Sequence, residues 1–223
     1  MVSIAKRIDE RRLVAASDGN ISVRIGGGHQ PTGRILITPS GIALGALRPQ
    51  DIVMIDHTGR VLSGELKRSS EFRLHLMVYE ERKDVRAVIH AHPPIANAFT
   101  FAGVSLDPCI VPEVVATLGR IPTTEYGTPA TDEGAVVARE LIAEHDAIML
   151  QRHGSVTVGE SLTSAYHKLE KLEHTAEVLL AAHQLGGPKK LSPDEILKLA
   201  KLREDLGIGS ADDVLRACDV NRS

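Results

Sequence analysis

The chain has no tryptophan, three phenylalanines and three tyrosines. So few rings leave no stacking platform for nucleobases. It also lacks an excess of either charge: 26 basic and 29 acidic side chains are scattered along it, for a formal net charge of −3. A basic footprint for nucleic acid is therefore missing. No apolar run is long enough to cross a bilayer, and the opening M-V-S-I-A-K-R-I-D-E-R-R has no apolar core of a secretory signal. Neither a membrane nor a nucleic acid is expected as partner, and the expected setting is the cytoplasm. The only two cysteines, Cys109 and Cys218, stand far apart and in no motif. They are expected to be plain thiols in a reducing compartment. Gly26, Gly27 and Gly28 do not form G-x-G-x-x-G and sit in no strand–glycine–helix unit, which excludes a dinucleotide site.

What the chain does contain is enough apolar sequence, 43% of 223 residues, to bury one sizeable core. Helices are expected over residues 3–14, from Ser69 or Ser70 to Arg82, over Pro94–Phe101, over Thr131–Glu144 and over Ser161–Leu185. The last carries Leu162, Tyr166, Leu169, Leu172, Ala176 and Leu179 as a core-facing stripe. Ser192-Pro193-Asp194-Glu195 reads as a capping box, opening a helix that runs to Leu206. A short helical turn ends near Cys218. Strands are expected at Ile21–Ile25, Arg34–Thr38, Val85–His92, Ala147–Gln151 and Val156–Gly159, with Ile52–Asp56 and Arg60–Ser63 as a hairpin. Residues 111–121 give no clear pattern. Strands that cluster early and recur between helices point to one α/β domain on a mixed, mainly antiparallel sheet.

The most informative stretch is A-V-I-H-A-H-P-P, Ala87–Pro94. Alternate residues of a strand share a face, so His90 and His92 point the same way. Pro93 and Pro94 cannot donate to a ladder and end the strand. Two imidazoles aimed at one point are what a metal needs. A catalytic zinc site wants a third protein ligand. His153, on a turn after a short apolar strand in Q-R-H-G-S, is the best candidate. His29, His57 and His145 fall in loops or at a helix end. His167 and His174 read as solvent-facing or structural residues of the long helix, and His75 and His183 as helix residues with no partner nearby in sequence.

Three further stretches are suited to an anion. In S-S-E, Ser69 and Ser70 offer hydroxyls at a helix N-terminus, with Glu71 in the first turn. S-D-G-N-I-S places Asn20 at a tight turn, and T-P-S-G places Ser40 and the Gly41 amide at a strand end. Each of these also serves as an ordinary cap or turn.

Taken together and in this order, G-N-x-S, T-P-S-G, S-S-E, H-x-H and a downstream H-G resemble the class II aldolase/adducin family, over residues 14–185. The resemblance implies a single three-layer α/β/α domain spanning residues 1–223, with 188–223 as a helical tail. It implies a homotetramer with sites between subunits. His90, His92 and His153 would bind Zn2+ or another divalent metal, and Glu71 would be the acid/base. Asn20, Ser40, Gly41, Ser69 and Ser70 would bind a substrate phosphate. Tyr126, in I-P-T-T-E-Y-G-T-P-A-T, would donate a proton in a neighbouring subunit's site. The implied reaction is cleavage of a ketose 1-phosphate, of the L-fuculose 1-phosphate type, to dihydroxyacetone phosphate and a small aldehyde through a zinc-stabilised enediolate. The same scaffold also serves a methylthioribulose-phosphate dehydratase, keto-acid phosphate decarboxylases, ribulose-phosphate epimerases and a non-catalytic adducin-like module. A metal-dependent hydrolase is a further possibility for the histidines alone. No aromatic residue follows Tyr166, so the tail carries neither the aromatic cover of the aldolase type nor the late tyrosine of the epimerases.

Overall fold

A computed structural model describes residues 1–26, 33–106 and 108–221. Gly27, Gly28 and His29 lie outside the described residues. Seven strands form one sheet: β1 Asn20–Ile25, β2 Arg34–Ile37, β3 Val53–Ile55, β4 Val61–Ser63, β5 Ala87–Ala91, β6 Ala147–Leu150 and β7 Gly154–Gly159. Their order is β4-β3-β2-β1-β5-β7-β6. All six neighbouring pairs are antiparallel. Thr123 and Met149 form the one parallel bridge among the described residues.

β5 lies inside this sheet, between β1 and β7, and is buried along its whole length. Its uninterrupted apolar run fits a strand covered on both faces. Val88 packs into a cluster with Val78 of helix α2 (Phe72–Glu81), Ala135 of α5 (Asp132–Val136) and Ile142 of α6 (Arg139–Glu144). Its neighbour Ile89 points the other way, into a cluster with Ile8 of α1 (Val2–Glu10) and Leu169 of α7 (Leu162–Gln184). A further cluster on this second face joins Phe99 of α3 (Pro94–Ala102), Val114 of α4 (Pro112–Thr117) and Leu172 of α7. The layers are thus helix, sheet, helix, as expected for this α/β class. No helix among the described residues is long and apolar enough to cross a membrane.

Several elements depart from the sequence expectation. The first helix stops at Glu10, and Arg12 turns into the left-handed region at φ 57°. Residues 131–144 break into α5 and α6, although Thr131 does cap the first, accepting from the Gly134 N–H at 3.3 Å. The position capping α2 is Glu71, not Ser69 or Ser70. Ser69 stands one step earlier, where its Oγ accepts from the Glu71 N–H at 3.2 Å.

The cysteines also differ: Cys109 and Cys218 are joined in a disulfide and are not plain thiols. Helices α8 (Pro193–Asp205) and α9 (Ala211–Ala217) bury Ile196, Ala200, Val214 and Leu215 against Val115 of α4. That packing brings Cys218, just after α9, against Cys109. The capping box at Ser192 and Glu195 is formed as expected.

Candidate metal centre

Sheet register builds the site. Asn20 pairs with His90 across β1 and β5, so their side chains lie together on one face. His90 is fully buried, and its Nδ1 donates to the Ser155 carbonyl at 3.0 Å. That partner assigns the proton to Nδ1 and leaves the Nε2 lone pair facing the site. His92 follows the strand on the same face. Its Nδ1 lies 3.5 Å from Asp18 Oδ2, and its Nε2 lies 3.0 Å from His90 Nε2.

His153 arrives on the turn between β6 and β7. Helix α3 holds that turn: Asn97 Nδ2 donates to the His153 carbonyl at 2.9 Å, and Thr100 Oγ1 accepts from the Arg152 N–H at 3.1 Å. Two glycines allow the close approach. A Cβ on Gly154 would stand 2.5 Å from the Ala91 carbonyl oxygen and 2.8 Å from the His92 ring. A Cβ on Gly19, at φ 74°, would stand 2.5 Å from Val14. The three imidazoles end with one nitrogen each, all within 4.8 Å of one another.

This donor set fits a divalent cation. Burial pushes His92 and His153 down to about 4, so both rings are neutral at pH 7. His90 Nε2 and His92 Nε2 face each other at 3.0 Å, close enough for both to bind one cation. Three imidazole nitrogens suit zinc, and manganese, cobalt or iron could take the same ligands.

Glu71 closes the group. Its Oε2 lies 2.7 Å from His90 Nε2, and its Oε1 lies 3.5 Å from His153 Nε2. Oε1 also accepts from the Ala130 N–H at 3.2 Å, and Oε2 from Asn20 Nδ2 at 3.4 Å. Burial pushes this carboxyl up. His90 and His153 beside it, with the Asn20 amide, push it further down, below the usual carboxylate range.

The anion-suited loops sit together next to Glu71. The Ser69 N–H donates to the Thr38 carbonyl at 3.1 Å, and the Ser40 N–H donates to the Lys67 carbonyl at 2.9 Å. Thr38 Oγ1 in turn accepts from the Ile21 N–H at 3.1 Å. T-P-S-G, S-S-E and the start of β1 are therefore side by side. Ser70 and Gly41 are exposed at the rim, Gly41 in the left-handed region at φ 78°. Asn20 is buried, with its amide turned to Glu71 and His75. Tyr126 is the outlier. It is 55% exposed and has no hydrogen bond, ion pair or ring contact among the described residues.

Two participants escaped the sequence reading. His75 meets Asn20 Oδ1 through Nε2 and Ser22 Oγ through Nδ1. Glu173 of α7 accepts from the Ile95 and Ala96 N–H groups at the start of α3, both at 2.9 Å. A signal for each was present. His75 is four residues after Glu71, on the same helix face, and Glu173 falls inside the apolar stripe between Leu169 and Ala176.

Comparison with known proteins agrees with this geometry. The pattern of the Class II Aldolase and Adducin N-terminal domain matches residues 1–180. A 5-deoxy-D-ribulose 1-phosphate aldolase of Bacillus thuringiensis serovar kurstaki is 30% identical over 208 residues, 93% of this chain and 95% of its own. A 3-oxo-tetronate 4-phosphate decarboxylase of Escherichia coli strain K12 is 34% identical over 183 residues, 80% of this chain and 84% of its own. Among solved structures, an L-fuculose 1-phosphate aldolase superposes with a TM-score of 0.81 at 29% identity, covering 92% of this chain and 93% of that one. With the match spanning both the histidine cluster and the loops beside Glu71, the chain belongs to the class II aldolase and adducin family.

Proposed function

We propose that this chain is a metal-dependent aldolase. It cleaves a ketose 1-phosphate, of the L-fuculose 1-phosphate type, to dihydroxyacetone phosphate and a small aldehyde. The observation that carries this reading is the place of Glu71. Its carboxylate touches the histidine cluster, while Ser69 and Ser70, immediately before it, open the anion-suited loops.

His90, His92 and His153 would hold the cation, with zinc as first choice. A divalent ion there supplies a Lewis acid toward the carbonyl and hydroxyl oxygens of a ketose. Ser40, Gly41, Ser69 and Ser70, with one N–H of Asn20, would bind the phosphate. That anchors the substrate away from the bond that breaks and fixes its orientation. Glu71 would take the proton from, and return it to, the carbon of the dihydroxyacetone phosphate half. His90 and His153 beside it keep it ionised, while its buried surroundings shield it from water. Tyr126, exposed on its own subunit, would give a proton to the aldehyde oxygen in a neighbour's site, within a homotetramer. Residues 1–223 would act as one unit in the cytoplasm, with 188–223 as its tail.

A second reading keeps the same residues and changes the substrate. The decarboxylase relative is as similar as the aldolases, so a keto-acid phosphate is the first alternative.

The test is solvent proton exchange. The zinc-loaded protein is incubated with dihydroxyacetone phosphate in deuterium oxide, and the hydroxymethyl proton signal is followed by NMR. Loss of signal that needs both the metal and Glu71, and is absent in Glu71→Gln, is the expected result. No exchange by folded, metal-loaded protein sinks the dihydroxyacetone phosphate reading and turns attention to the keto-acid phosphates.

A further inference from the structure

Glu71, His75 and Tyr79 stand at four-residue steps on one face of α2, opposite Asn20 and Ser22 on one face of β1. Their polar atoms form an unbroken chain. Asn20 Nδ2 lies 3.4 Å from Glu71 Oε2, and Asn20 Oδ1 meets His75 Nε2. His75 Nδ1 lies 2.7 Å from Ser22 Oγ, which lies 2.8 Å from the Tyr79 hydroxyl. His75 and Ser22 have no exposed surface.

One direction of donation satisfies every member. An ionised Glu71 can only accept, so the Asn20 atom facing it is the NH2 group. The Asn20 carbonyl then faces His75 and also only accepts, which places the His75 proton on Nε2. Burial holds this imidazole neutral, pushed down to about 3, so Nδ1 is bare. It accepts the Ser22 hydroxyl proton, and Ser22 Oγ accepts from Tyr79, whose phenol burial keeps protonated. Reversing one member sets two acceptors or two donors against each other in a buried place. At the head of the chain it would turn the Asn20 carbonyl toward the Glu71 carboxylate.

We propose that His75, as its Nε2–H tautomer, is a positioning residue for Glu71. It acts through Asn20, whose carbonyl faces Nε2, and the Ser22 hydroxyl supplies the donor that the bare Nδ1 needs. The function of this relay rests on the reading of Glu71 as the proton carrier. Its consequence is that the Asn20 amide always turns its NH2 group, and never its carbonyl, toward Oε2. That contact, with the Ala130 N–H on Oε1, keeps the carboxylate in one orientation beside the histidine cluster.

Two measurements test this. In protein with 15N-labelled imidazoles and zinc bound, long-range proton–nitrogen spectra report the tautomer of His75, assigned through bonds from its backbone. The expected pattern is neutral and Nε2-protonated from pH 6 to 8. An Nδ1-protonated or charged ring overturns the proposal. This arm needs no substitution and no substrate. If the unsubstituted protein fails to exchange dihydroxyacetone phosphate, the substrate reading falls while the spectrum still decides the direction of the chain.

The second arm is the exchange rate of variants. His75→Leu keeps bulk and removes the donor, and it should lower the turnover rate roughly 10–100-fold, the usual effect of losing an outer partner of a metal site. His75→Gln puts a donor back near the Nε2 position and should recover most of the rate. Equal rates in the two variants would make His75 a space-filling residue and sink the positioning role.

Discussion

A histidine buried without charge makes folding depend on pH. His75 titrates near 6.5 in an unfolded chain and is held down to about 3 in the fold. Above pH 6.5 neither state binds the proton and nothing is lost. Below it the unfolded chain takes up a proton that the folded chain refuses. Stability then falls by up to about 1.4 kcal/mol per pH unit until the folded pKa is reached. Urea unfolding of metal-free protein between pH 6.5 and 4.5 should therefore be steeper for the unsubstituted chain than for His75→Gln, by about that slope. The other histidines are common to both proteins and cancel. Parallel slopes would show that the folded state protonates His75 after all. This residue also marks how far sequence alone reaches. His90 and His92 announce themselves because alternation in a strand is a local rule. His75 does not, because its partners Asn20 and Ser22 lie 55 and 53 residues away and meet it only once β1 is laid under α2. The three histidines, Glu71 and the serine loops were legible, whereas the wiring between them depends on packing that no local pattern carries.

Among the elements, α3 connects the ligands. It begins right after His92-Pro93, and its Asn97 and Thr100 hold the turn that carries His153. Its own first amides are held by Glu173, a carboxylate 3% exposed on α7. Burial raises the Glu173 pKa, and the two backbone N–H groups partly offset that. Glu173→Ala removes a helix cap and leaves two donors buried, at a cost of about 1–3 kcal/mol. Because α3 positions two ligand-bearing segments, zinc affinity should also fall, by roughly tenfold. Circular dichroism melts and calorimetric zinc titration check the two effects separately. A lower melting temperature with unchanged zinc affinity would mean that α3 keeps its place without the cap. Boundaries of this kind were harder to read than the elements themselves. The 131–144 stretch divides at Val137 and Ala138, whose backbone (φ −63°, ψ −20° and φ −88°, ψ −17°) stays close to helical, so no local pattern marks the break.

At the scale of the whole molecule, the segment after Gly187 behaves differently from its sequence. Its apolar positions, Ile196, Ala200, Val214 and Leu215, are too few to form a core alone, and they borrow Val115 of α4. The Leu191 N–H donates to the Cys109 carbonyl at 2.8 Å, and Arg203 Nη1 donates to the Ala116 carbonyl at 3.3 Å. The Cys109–Cys218 bond then closes a loop across a sequence separation of 109. Neither cysteine gives a local hint of the other, which is why a thiol reading was natural and wrong. It also removes the thiols as an argument for a reducing compartment. Closing a loop of this length restricts the unfolded chain, so the double variant Cys109→Ser, Cys218→Ser should lose about 2–4 kcal/mol. The loss should concentrate in the tail, whose buried side chains pack against Val115 and Cys109. Limited proteolysis should accordingly cut the variant between α7 and α9 well before the unsubstituted protein, while deuterium exchange into dihydroxyacetone phosphate proceeds at a similar rate. Thiol titration of the unreduced, denatured chain should find no free sulfhydryl, and two after reduction. Two free thiols before reduction would show that the tail is held by α4 packing alone. Variant and unsubstituted chain should then be cut equally fast.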